Sequence, residues 1–105
     1  MTERQKTPLH PGRIIREHHL EPLSISIADL ARTLLVSRKT VSKIVNGKSA
    51  VSPDMALRLS RALNTSPKLW LGLQMEYDLW RAQGASRAWK QVKQVRASQP
   101  DRQTF

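Results

Sequence analysis

The sequence predicts an all-α fold, five helices followed by a basic C-terminal extension, and three observations lead to it. Pro and Ser recur at positions where helices begin, and the stretches between them carry apolar residues at i, i+3 and i+4. No run of alternating apolar and polar residues is long enough for a strand, and no solenoid-length repeat or low-complexity tract breaks the pattern.

The first helix follows "LHPGRIIREHHL". Pro11 suits a first helical position, where its missing N–H would be unpaired anyway. Ile14, Ile15 and Leu20 form the apolar face, and Pro22 is expected to end the helix. The second, "SISIADLARTLL", starts at the capping residue Ser26, has Asp29 to complement the positive helix end, and spaces Ile27, Leu30, Ala31 and Leu34 helically. The third is "SRKTVSKIVNG", where Ser37 can accept from a free N–H of the first turn and Gly47 can take the left-handed conformation that closes a helix. Val41, Ile44 and Val45 line one side of it, leaving Arg38, Lys39, Ser42, Lys43 and Asn46 on the others. The fourth and fifth open alike, as "SPDMALRLSRALN" and "SPKLWLGLQMEYDLWRAQG", each with a Ser cap followed by Pro. After Gly84 the chain turns basic and Gln-rich, with Trp89, Val92, Val95 and Phe105 as its large apolar residues, so we expect a frayed helix to about Ala97 and disorder beyond.

At 105 residues the chain has room for one small domain and a short extension. Lys and Arg number 18 against 8 Asp and Glu, a formal net charge of +10, which points to a partner dense in negative charge, nucleic acid first. "MTERQKTPLHPG" offers neither a secretory h-region nor an apolar span, so a soluble, cytoplasmic protein without a membrane partner is expected. The absence of Cys removes disulfides, thiolate zinc sites and Cys nucleophiles together.

Residues 27–46 place two short helices either side of a tight "LLVS" turn, with Ala31 where they would cross and Val41 and Ile44 packing the second onto the first. That arrangement lets the second helix stand out far enough to enter a major groove about 12 Å wide. Here the chain resembles the lambda-repressor and Cro class of helix-turn-helix domains, so the fold is expected to be lambda-repressor-like, a Cro/C1-type domain over residues 9–83 between a flexible 1–8 and a basic tail 84–105. The resemblance implies base-edge contacts from Arg38, Lys39 and Lys43 and phosphate contacts from Thr40, Ser42 and Asn46. Ser37 at the cap and Lys48 just past the helix complete the candidate DNA-binding set. Two positions depart from the family pattern. Leu35 fills a turn position that usually takes Gly, where a left-handed Leu costs about 1–2 kcal/mol. The second helix begins Ser26-Ile27-Ala28, where phage repressors often carry a phosphate-clamping Gln.

A closer resemblance covers about Leu9 to Ala82. "HPG" ahead of the first helix, "NGK" followed by "SPDMALRLSRAL", and "SPKLWLGLQMEYDLW", in that order, are similar to HigA-type (VapI-like) antitoxins. The resemblance implies a repressor that binds its own operator DNA as a homodimer and sequesters a HigB-type toxin, an mRNA nuclease, although orphan regulators without a toxin occur in the same family. The competing readings are a purely protein-binding inhibitor and an RNA-binding module. The second is disfavoured because no aromatics interleave the basic residues 37–48.

In the fifth helix Leu69, Leu73 and Trp80 follow one stripe and are expected in the core. Trp70, Leu71, Met75, Tyr77 and Leu79 lie off it, more apolar surface than a small monomer covers, and are expected to form the dimer interface. His10, His18 and His19 do not suggest a metal, since adjacent helical residues diverge by about 100° and nothing completes a ligand set. Glu17, Glu21, Asp29 and Asp54 read as helix-terminal or surface acids. No enzyme activity, cofactor or small-molecule substrate is expected.

Overall fold

The structure, a computed structural model, describes residues 7–95, so the expectations for residues 1–6 and 96–105, including a helix reaching Ala97 and the place of Phe105, lie outside the described residues. Five helices and a short 3-10 turn make up the described chain, with no strand among the described residues. Helix α1 comprises an α-turn at Pro11–Ile15, a π-helical turn at Arg16–Leu20 and a closing α-turn at Glu21–Leu23. Then follow α2 (Ile27–Leu34), α3 (Arg38–Val45), α4 (Pro53–Leu63) and α5 (Pro67–Ala85), with the 3-10 turn at Ala88–Gln91.

All five starts are capped by a side chain accepting from the first turn: His10, Ser26, Ser37, Ser52 and Ser66. Ser26 and Asp29 form a reciprocal capping box, and the Ser26 backbone N–H holds the Asp29 carboxyl below the usual carboxylate range. The first four helices also end alike, each on a left-handed residue: Ser24, Leu35, Gly47 and Asn64. At α3, Gly47 N–H donates to Ile44 O at 3.0 Å and Lys48 N–H to Lys43 O at 2.7 Å, the double bond of a Schellman motif. At α2 the same pattern runs from Leu35 N–H to Arg32 O and from Val36 N–H to Ala31 O. There the Arg58 guanidinium adds donors to the Leu34 and Leu35 carbonyls at 2.8 and 3.3 Å. The turn position thus takes a left-handed Leu, and the bonds that secure it are all to backbone atoms.

One core joins the helices: Ile15, Leu20, Leu30, Ala31, Leu34, Val41, Ile44, Val45, Val51, Met55, Ala56, Leu59 and Trp70. Trp70 is wholly buried, its indole N–H donating to Thr65 Oγ1 at 2.7 Å and its ring tilted against His19. Buried Gln74 accepts from Val51 N–H at 2.9 Å and donates to Asp78, tying α5 to the loop after α3.

Three expectations are corrected. Pro22 does not end the first helix, because Pro sits at the start of a new α-turn after the π segment, where its missing N–H is tolerated. The stripe of Leu69, Leu73 and Trp80 is not the core face of α5: Leu69 and Trp80 are exposed and Leu73 only packs at the core margin, while Trp70 and Gln74 point inward. The last helix also passes through Gly84 to Ala85, and the described tail beyond it is a 3-10 turn followed by irregular chain, not a frayed helix.

Candidate nucleic-acid interface

Helix α3 is held by its apolar side. Val41, Ile44 and Val45 are buried against α1 and α2. Behind it α1 comes so close that a β-carbon on Gly12 would overlap the Ile44 carbonyl oxygen, so only Gly lets the two backbones meet. His10 fixes this approach by accepting the Gly12 N–H on Nδ1 at 2.9 Å, and burial pushes its pKa down, favouring the neutral ring that the bond requires. Tyr77 of α5 packs edge-on against His10, with ring centroids 5.0 Å apart.

With that side fixed, Lys39, Ser42, Lys43 and Asn46 form one outward stripe at i, i+3, i+4 and i+7, with Arg38 and Thr40 beside it at the amino end. Ser37 Oγ accepts the Thr40 N–H at 3.0 Å and lies 2.9 Å from the Thr40 hydroxyl, so these two pin the helix start. Arg38, Lys39, Lys43 and Lys48 are exposed, and among the described residues none of them is in an ion pair. Three other arginines are paired locally: Arg13 with Glu17, Arg32 with Asp29 and Arg58 with Asp54. Among the described residues, Arg38, Lys39, Lys43 and Lys48 thus place four cations outside any ion pair on and just past α3.

Asn46, expected at a phosphate, also makes contacts within the protein. Its Oδ1 accepts from the Arg16 guanidinium at 2.6 Å and its Nδ2 donates to Ser42 O at 2.8 Å, so its side chain is already engaged within the protein. The expected α5 interface changes. Trp70 is removed from it by burial, and half-buried Tyr77 is partnered by His10 and Trp80 with the Arg81 guanidinium over its ring. Leu71, Met75 and Leu79 do line an open apolar groove with Gln74, Asp78 and Ala82. Sequence reading missed Gly12, Arg16 and the capping role of His10; the "HPG" triplet was the one signal that pointed to their neighbourhood.

Two helices crossing tightly through a left-handed turn, the second bearing outward unpaired cations, define a helix-turn-helix protein. The helix-turn-helix family profile matches residues 18–70, and the chain belongs to that family. It is similar to an uncharacterised HTH-type transcriptional regulator of Haemophilus influenzae, 45% identical over 75 residues, which cover 71% of this chain and 70% of the relative. It is also similar to antitoxin HigA-1 of Vibrio cholerae, 35% identical over 80 residues, covering 76% and 75% of the two chains. The structure of Pseudomonas aeruginosa antitoxin HigA with the higBA promoter superposes with a TM-score of 0.75 at 40% identity, covering 84% of this chain and 98% of that one. Among the described residues no helix is long and apolar enough to cross a membrane.

Proposed function

We propose that this chain is a sequence-specific repressor that acts as the antitoxin of a HigBA-like module: it binds its own operator as a cytoplasmic homodimer, neutralises an mRNA-cleaving toxin and catalyses no reaction. The observation that carries the reading is the set of unpaired cations on the outward side of α3, where Arg38 and Lys43 are spaced to reach base edges and Lys39 and Lys48 flank them. A HigA relative whose structure contains its promoter supports DNA as the partner, and the HigA-1 relative supports the toxin.

The test is a titration on DNA upstream of the chain's own gene and on a scrambled duplex. The wild type should prefer the former, and Arg38→Ala should shrink that preference by relaxing one base position. Equal losses on both duplexes would overturn the base-reading role. The Haemophilus relative, known only as a transcriptional regulator, favours one second reading, an orphan repressor. Co-expression separates them: a neighbouring gene that arrests growth alone and not with this chain marks an antitoxin, and a harmless neighbour marks an orphan.

A further inference from the structure

We infer that Arg16, on α1 and thirty residues from Asn46, is a further phosphate-contacting residue of the DNA surface, and that Asn46 is the residue that positions it. The inference rests on the proposed DNA binding but not on any operator sequence. Arg16 lies outside residues 18–70, the span that matches the helix-turn-helix family. Its guanidinium nevertheless reaches the end of the outward stripe, where Asn46 Oδ1 accepts from it at 2.6 Å while Asn46 Nδ2 is anchored to Ser42 O and Ser42 Oγ at 2.8 and 3.3 Å.

The chemistry of the tether matters more than its existence. Arg13, Arg32 and Arg58 are each held by a carboxylate, which cancels their charge toward a polyanion. Arg16 is held by a neutral amide, and among the described residues it has no ion pair. A guanidinium has five N–H donors, so holding it by one leaves others for phosphate oxygens, and losing less side-chain freedom on binding favours the contact. Position supports this. The carboxyl end of a helix carries partial negative charge that repels phosphate, and Arg16, Lys43 and Lys48 surround that end of α3. Helix α1 is rigidly placed for the task because Gly12 seats it on the Ile44 backbone.

A phosphate contact is independent of sequence, so the probe is a mixed-sequence duplex of about 30 base pairs, titrated at several salt concentrations between roughly 50 and 200 mM. Arg16→Gln, which keeps a donor for Asn46 and removes the charge, should lower the slope of log affinity against log salt by about one and weaken binding roughly five-fold. Arg16→Lys should keep the slope. Asn46→Ala should weaken binding at unchanged melting temperature, and should do so much less in an Arg16→Gln background. If Arg16→Gln keeps the wild-type slope while Lys48→Ala lowers it, Arg16 is only a helix tie and the inference fails alone. If neither change alters binding, DNA binding through α3 fails with it.

Discussion

Eight residues of α3 bury Val41, Ile44 and Val45 on one side and turn every cation to the other. Nineteen residues of α5 bury Trp70 and Gln74, half-bury Leu71, Leu73 and Tyr77, and leave Leu69, Met75, Leu79 and Trp80 exposed. The first helix has one task per side, packing within and charge without. The second shares its apolar residues among the core, the His10 contact and the open groove, so no single side of it is apolar. Changes on the outer side of α3 should therefore leave folding intact and alter binding, and changes along α5 should divide between folding and assembly.

The largest expected effect tests the folding half of α5. Trp70→Ala removes a wholly buried indole and its bond to Thr65, and should cost about 3–5 kcal/mol, enough to unfold much of a small domain. Urea denaturation followed by circular dichroism measures it. A loss below about 1 kcal/mol would mean that α5 is not part of the core, and the contrast with α3 would collapse.

Next comes assembly. Leu79→Asp puts a charge in the apolar groove beside Met75 and Leu71, and should shift a dimer toward monomer by roughly 2 kcal/mol or more with little change in melting temperature. Sedimentation of wild type and variant at micromolar concentration decides it. A wild type that is monomeric would overturn the dimer itself, and a variant dimer of equal affinity would place the interface elsewhere. Lys43→Ala makes the complementary break at α3: about 1–3 kcal/mol of operator discrimination lost, with folding and sedimentation unchanged.

What the sequence made legible follows the same division. Helix starts were readable because Ser26, Ser37, Ser52 and Ser66 act on N–H groups three residues away, and the buried side of α3 was readable because its apolar residues follow one helical period and share one side. In α5 the period failed. Trp70 and Gln74 are four apart and go inward because Thr65, His19 and Val51 meet them, and two of those partners lie in other parts of the fold. Arg16 was hidden for the same reason, its meaning depending on Asn46 thirty residues away. The π-turn that lets the first helix run past Pro22 has no local signature in "REHHLEP".

The smallest expected effect lies at the entrance to α3. Leu35 is held at φ 62°, which costs a Leu about 1–2 kcal/mol, and its side chain is 82% exposed, so packing returns little of that cost. The bonds that secure the turn, Leu35 N–H to Arg32 O, Val36 N–H to Ala31 O and Arg58 to two carbonyls, all involve backbone groups that Gly would keep. Against the relief stands the extra freedom that Gly gives the unfolded chain, about 0.5–1 kcal/mol. Leu35→Gly should therefore stabilise by roughly 0.5–1 kcal/mol, a rise of a few degrees in melting temperature. An unchanged or lower value would show that the exposed side chain packs better than its accessibility implies. A higher melting temperature together with weaker binding to DNA or toxin would show why Leu stands there: the strain is tolerated because a partner covers the side chain, and the outer side of the α3 motif would then hold one apolar contact among its charges.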